Sequence, residues 1–326
     1  MRTLTPSAIA AFVNCPYRYQ LGYLYKIYPI AYSPSLTIGR GLKAGIGNLH
    51  TSTRRDPLPD AMLRARAAMK TDLIKLRKLM DVDEWDEVYQ QALRDRAKVT
   101  ALLRAYQEVY PRSLPMEQIK CRFEPRPIIN PATGRDSRTF NLASVFDGWY
   151  RLEDGRVMVY DLVATSVSLK EATQLVAHSI QPQLHLSMMR PDVEIAGICI
   201  DIVKKPVAQF KKALSRAKKK KPVEVLVEPL QDYEDRCYNG YIQQPARFFQ
   251  RIMLPRRPQR IRDAQAVAWR VAQEIRDSDR HGYLGCRGIN CKTPRGWCDF
   301  RSLCWYDHTE NYRHGDYAHD ELELAA

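Results

Sequence analysis

Cys286, Cys291, Cys298 and Cys304 stand together in the last fifth of the chain, and Cys15 stands near its start in the phrase Cys15-Pro16-Tyr17-Arg18-Tyr19. Cysteines gathered among Gly, Arg and Asp do not read as core packing. Their layout predicts a metal cluster that ties the two ends of the fold together, which constrains every segment between them. In an exported protein eight cysteines would read as disulfides. In a reducing compartment, thiolate ligation of a soft metal is the better reading of a clustered set. Cys121, Cys199 and Cys237 sit singly in apolar or helical contexts and read as packing residues.

The 326 residues, 45% of them hydrophobic, suffice for one large domain or two small ones. No charged segment followed by an apolar stretch opens the sequence. No run approaches the roughly 18 apolar residues that a membrane span requires. The expectation is a cytoplasmic protein with no membrane partner. A net charge of +14 favours a polyanionic partner, because Lys and Arg release counterions condensed on phosphates.

Along the chain, Ser7 reads as the cap of a short helix that carries Cys15. A second helix opens over Gly39 to Gly47, and two long ones follow over 60–80 and 86–110, where apolar residues recur at helical spacing without Gly or Pro. From Glu117 the pattern alternates, broken by the turn Asn130-Pro131-Ala132-Thr133-Gly134. Residues 143–152 and 156–163 read as strands of a hairpin joined at Glu153-Asp154-Gly155. A helix around 170–189 and a strand over Val193 to Val203 complete an α/β unit, and 261–276 form an amphipathic helix. The organisation is N-terminal helices with the first cysteine (1–55), a helical insertion (56–112), an α/β core (113–230), a C-terminal helical and cysteine segment (231–315) and an acidic tail (316–326).

The hairpin carries the chemistry. Asp147 on one strand and Asp161 on its partner are placed to converge on a hard divalent cation such as Mg²⁺ or Mn²⁺. A nuclease built this way also needs a positive group near the attacking water, commonly a lysine two residues after the second acid. Here that residue is Val163.

These residues resemble the PD-(D/E)XK nuclease superfamily, in its RecB-like branch with iron–sulfur cysteines, which includes CRISPR-associated exonucleases and the AddB nuclease domain. The resemblance covers nearly the whole chain. It runs through Ser7 to Tyr19, Gly39-Arg40-Gly41-Leu42-Lys43, the Asp147 hairpin, Gln183-Leu184-His185-Leu186-Ser187, and the ending at Cys291, Cys298 and Cys304. It implies a restriction-endonuclease-like α/β core, a mixed central sheet flanked by helices, with a helical insertion and an iron–sulfur-stapled C-terminal segment. It makes Asp147 and Asp161 the metal-binding acids and Gln183 a positioning residue. It assigns a 4Fe–4S cluster to Cys15, Cys291, Cys298 and Cys304. A zinc site of Cys286, Cys291, Cys298 and Cys304 is the alternative.

The chain departs from the family at three catalytic positions: Lys43 replaces a histidine, Val163 the lysine and Ser187 a tyrosine. Lys43 or Lys170 would have to substitute if hydrolysis survives. Alternatively, Lys43 occupies the metal's space as an ion pair, or both acids are ordinary residues on a solvated rim. Downstream, Lys211, Lys212, Arg216, Lys218, Lys219, Lys220 and Lys221 belong to a basic run, from Lys204 and Lys205 on, suited to phosphate contact or to a solvated face. Tyr238, Tyr241, Phe248 and Phe249, with Arg251 and the arginines that follow, suit either stacking on a single strand or core packing. The expected function is a degenerate nuclease that binds nucleic acid, DNA foremost, within a phage, mobile-element or defence assembly. An active Mg²⁺/Mn²⁺-dependent exonuclease or endonuclease and a structural or protein-interaction component are the alternatives.

Overall fold

A computed structural model describes residues 1–29, 32–77, 80–111, 114–189, 193–205, 212–214, 224–226, 228–281, 291–293 and 296–314. Its first strand, β1 (Arg2–Leu4), leads into α1 (Pro6–Asn14). The helix is capped by Thr5, not Ser7, because the Thr5 hydroxyl accepts the Ala8 N–H at 3.1 Å. Cys15 lies beyond the end of α1 and caps α2 (Pro16–Tyr19), its Sγ accepting the Arg18 N–H. After β2 (Ile27–Pro29) come α3 (Pro34–Thr51), α4 (Leu58–Arg77) and α5 (Val82–Val109). The helix expected from Gly39 begins five residues earlier, because Ser33 caps it and Pro34 occupies its first turn.

The long ribbon β3 (Met116–Ile129) and β4 (Asp136–Arg151) turns at residues 130–135, and β4 pairs antiparallel with β5 (Val157–Thr165). The single helix expected over 170–189 is two, α6 (Leu169–His178) and α7 (Gln181–Met188). The break follows from Pro182, which has no N–H to donate and is accommodated in the first turn of a new helix. Next come β6 (Ile195–Lys204), β7 (Lys212–Leu214), β8 (Glu224–Leu226), α8 (Leu230–Gln243), β9 (Phe249–Pro255) and α9 (Pro258–His281). The short elements β10 (Lys292–Thr293), β11 (Gly296–Trp297), α10 (Arg301–Tyr306) and β12 (Tyr312–His314) follow.

Among the described residues the central sheet is six-stranded and mixed, in the order β1-β4-β5-β6-β9 with β3 also on β4. β5 and β6 are parallel, joined through α6 and α7, while β4–β5 and β6–β9 are antiparallel. The sheet therefore draws strands from Arg2–Leu4 to Phe249–Pro255, across most of the sequence. Ile38, Leu42 and Ile46 of α3, with residues of α4, α5 and α8, pack against Tyr150, Met158, Tyr160 and Leu162. Leu169, Ala172 and Val176 of α6 and Leu186 of α7 pack with Val159, Ile198, Ile200 and Ile202. Helices thus flank the sheet, and β6, buried from Gly197 to Val203, lies within. A third cluster joins α1, α7 and α9 to Phe140 and Leu142 of β4. No helix among the described residues is long and apolar enough to cross a membrane.

Candidate active site

Two hairpin strands and one helix assemble the centre. The β4–β5 ladder pairs Gly148 with Tyr160, so the next step brings Asp147 and Asp161 opposite each other. Gly148 permits the neighbouring β3 to close in, because a Cβ there would lie 2.6 Å from the Gln118 carbonyl oxygen. Asp147 Oδ2 accepts the Leu162 N–H at 2.8 Å, so the carboxylate takes an amide that the strand ladder leaves over. α3, lying over this part of the sheet, supplies Lys43. Its ammonium is 2.9 Å from Asp147 Oδ2, 3.1 Å from Asp147 Oδ1 and 3.7 Å from Asp161 Oδ1.

This is a bridging ion pair, with 24% of the Asp147 side chain and 23% of the Asp161 side chain still exposed. Burial pushes the Asp147 carboxyl up to about 6; Lys43 opposes the rise and the charge on Asp161 adds to it. Two carboxylates this close repel, and an ammonium between them relieves the repulsion as a metal would. A divalent cation does not fit the arrangement as it stands, because it would share the space between the acids with a like charge. Among the described residues, no group of three or more His, Cys, Asp or Glu side chains is placed to hold a metal ion.

The other expected positions differ in burial and in partners. Val163 is partly buried against the cluster that includes Val159 and Leu169, and offers no charge to the site. Gln183 is 7% exposed, with its Oε1 buried and without a hydrogen-bond partner among the described residues. Ser187 turns back on its own helix, its hydroxyl donating to the Leu184 carbonyl at 2.7 Å. Lys170 is exposed in the first turn of α6. The sequence reading passed over His185, buried on α7, whose Nδ1 shares a hydrogen bond of 2.6 Å with Ser144 Oγ. Burial, and then the charge on Lys43, push its pKa down to about 4, so the ring is neutral near pH 7.

A second polar group lies one strand further along the sheet. Asp201, 1% exposed in β6, receives Arg251 in a two-pronged pair, Nε to Oδ1 at 2.6 Å and Nη2 to Oδ2 at 2.8 Å. Tyr106 and Tyr160 both donate hydroxyls to Asp201 Oδ2. His50 accepts the Leu114 N–H at Nδ1, so its proton sits on Nε2 and is donated to the Tyr106 oxygen at 2.9 Å. Burial pushes the His50 pKa down to about 4. The available signal was one acid inside an otherwise apolar strand, since a buried carboxylate requires partners. Arg251, one of the arginines that could have served phosphate contact, is consumed here. Tyr241 and Phe249 are buried, and Tyr238 and Phe248 pack partly buried against the same core.

The basic run and the cysteines are described in part. Lys205 is 6% exposed and its ammonium bonds to Ser35, so it belongs to the interior and not to a solvated face. Lys212 lies on β7. Lys211, Arg216, Lys218, Lys219, Lys220, Lys221 and Cys286 lie outside the described residues, as does the acidic tail. Cys15, Cys291, Cys298 and Cys304 are half-buried, whereas Cys121, Cys199 and Cys237 are buried. Burial pushes the Cys298 thiol up; the Phe300 amide and Arg18 act against this, and the charges of Asp299 and Cys15 act with it. The Cys298 N–H donates to the Cys291 carbonyl at 2.7 Å. The segments that follow Cys15 and Cys298 adjoin, a Cβ at Gly22 lying 3.3 Å from the Phe300 ring and β2 pairing with β12.

No curated protein matches the chain. A family model described as the PD-(D/E)XK nuclease superfamily matches residues 3–305. That span holds both acids, α3 and every strand of the central sheet apart from the first residue of β1, and with it the protein belongs to the PD-(D/E)XK nuclease superfamily.

Proposed function

We propose that this protein is a nucleic-acid-binding member of the superfamily whose hydrolytic centre has become a salt bridge. The observation that carries the reading is the Lys43 ammonium, within 4 Å of both Asp147 and Asp161. Val163 removes the charge that would stabilise an attacking hydroxide or a phosphate oxygen. The chain keeps the scaffold, so its role is binding, with DNA as the foremost ligand and a RecB-like, phage, mobile-element or defence assembly as the setting. In the test, anaerobically purified protein is incubated with end-labelled single- and double-stranded DNA and Mn²⁺, beside Asp161→Ala. Intact DNA retained by both proteins supports the reading. Cleavage that vanishes in Asp161→Ala overturns it in favour of an active nuclease using Lys43 or Lys170. Failure to retain any nucleic acid points to a structural or protein-interaction component.

The same proposal includes a 4Fe–4S cluster on Cys15, Cys291, Cys298 and Cys304, supported by the Phe300 ring against Gly22 and the pairing of β2 with β12, which bring the two cysteine-bearing segments side by side; it requires the four thiols, not gathered into a metal site among the described residues, to draw together as the metal loads. Four thiolates from remote segments are the ligand chemistry such a cluster takes, and its work here is to hold the segments together. Zinc held by Cys286, Cys291, Cys298 and Cys304 is the alternative, and metal analysis of anaerobically purified protein separates them.

A further inference from the structure

Cys291 is held from two sides. Its carbonyl accepts the Cys298 N–H at 2.7 Å, and its Sγ accepts the indole N–H of Trp305 at 3.3 Å. Trp305 directly follows Cys304 in α10, so this one bond ties the Cys291 segment to the helix that carries a third cysteine of the set. Donors aimed at sulfur recur nearby. The Arg18 N–H lies 3.4 Å from Cys15 Sγ, and the Phe300 amide bonds to Cys298.

The two amide donors follow from the local backbone, Cys15 being the cap of α2. The Trp305 bond does not. Its side chain is 57% exposed, so water is at hand for the indole N–H. A neutral thiol is a weak acceptor, poorer than the water it replaces, whereas a thiolate makes a charge-assisted bond. An indole that stays largely in solvent and still sets its N–H on a sulfur is arranged for a sulfur that carries charge. Metal ligation is what puts that charge on a cysteine at neutral pH.

We propose that Trp305 donates to the metal-bound thiolate of Cys291 and thereby raises the reduction potential of the cluster. This inference rests on the 4Fe–4S reading above. Trp305 is a positioning residue, because its indole offers a donor and no lone pair for a metal. A hydrogen bond on a ligand sulfur draws off negative charge and so favours the reduced, more negative state.

The test is anaerobic reconstitution of the full chain with iron and sulfide, followed by iron analysis and a potentiometric titration read by electron paramagnetic resonance. The proteins are wild type, Trp305→Phe, Trp305→Gln and, as control, Tyr306→Phe on the neighbouring exposed ring. Phenylalanine keeps a ring without a donor, whereas glutamine carries an N–H as many bonds from Cα as the indole does. Trp305→Phe should load iron and titrate at a lower potential than wild type, with Trp305→Gln and Tyr306→Phe close to wild type. A ring that only screened water would give the opposite sign, because water reaching the sulfur stabilises the reduced cluster; a raised potential in Trp305→Phe therefore overturns the inference. If Trp305→Phe takes up no iron, uptake by Trp305→Gln supports the donor, and failure of both overturns it in favour of ring packing. If iron-loaded wild type and Trp305→Phe share one potential, the inference is wrong and the cluster reading stands. If wild type takes up no iron, both fall.

Discussion

Asp147 Oδ2 takes the backbone N–H of Leu162 at 2.8 Å, so the main chain of β5 fixes the carboxylate that Lys43 grips. The amide and the ammonium both favour the charged form, against burial and the neighbouring Asp161. Removing Lys43 leaves the two acids facing each other with nothing between. In Lys43→Met the Asp147 pKa should rise further above 6, readable by carbon-13 NMR titration of the carboxyl groups. The sign of the stability effect follows. A carboxyl whose folded pKa is raised loses stability as pH climbs through that value. Denaturant titration should therefore find the variant most impaired near pH 8 and closest to wild type near pH 5.

Reversing the departures tests whether the scaffold still supports hydrolysis. Lys43→His with Val163→Lys replaces the bridging ammonium by a neutral imidazole and returns a cation two residues after Asp161. The pair should bind Mn²⁺, seen as loss of its free-ion electron paramagnetic resonance signal, and cleave DNA in a manner abolished by adding Asp161→Ala. Val163→Lys alone should do neither, because Lys43 still fills the space, and its partly buried site should cost ~1–2 kcal/mol of stability.

Asp201 and Arg251 form a buried pair, and breaking one half leaves an uncompensated charge. Arg251→Ala should lose ~3–5 kcal/mol. Adding Asp201→Asn should recover part of that loss, because the stranded carboxylate is gone. A double-mutant cycle in urea measures the coupling. Independent losses would show that the pair is not the unit the geometry describes.

Two neutral histidines shape the acid limb of stability. His50 and His185 have pKa values near 4 in the fold and about 6.5 when unfolded. Between these values the unfolded chain binds a proton at each that the native chain does not, so stability falls with falling pH. Asp147, raised to about 6, binds its proton in the native state and offsets one of them. The net expectation from these three groups is a loss of ~1.4 kcal/mol per pH unit between about pH 6 and 4. His185→Gln should flatten this limb, whatever its effect at pH 8.

Anaerobic purification followed by iron, sulfide and zinc analysis tests the cysteine set. The 4Fe–4S reading expects about four iron atoms per chain and their loss in Cys298→Ser, with protease sensitivity rising at both ends together. Zinc in equal proportion to protein would select the alternative. A metal-free, fully folded protein would leave the thiols as packing residues.

Features with local grammar were legible in the sequence. The β4–β5 hairpin announced itself through alternation and the Glu153-Asp154-Gly155 turn, and it carried Asp147 and Asp161 to the same place. The long helices could be read from their periodicity. What escaped depends on partners far away in the chain. Asp201 has no meaning without Tyr106 and Arg251, and Lys205 looks like one of many solvated lysines until Ser35 is seen to receive it. The α6–α7 break was signalled by Pro182 but outweighed by the apolar pattern around it. Lys43 stood among the residues weighed in the sequence, yet only the packing of α3 on the sheet sets its distance to each acid.

β2 and β12 pair as antiparallel strands, Ile27 with His314 and Pro29 with Tyr312. Nearly the whole polypeptide lies between these two short segments, so joining them closes a very large loop, at an entropic cost that grows with the logarithm of its length. Such a clasp fastens only after the intervening layers are in place, and it rests on few hydrogen bonds. It is therefore the seam at which the molecule comes undone first. Among the strand pairs of the described residues, amide exchange should be faster at Tyr28 and Arg313 than in the central sheet, and whatever binds across that seam should set how long it stays shut.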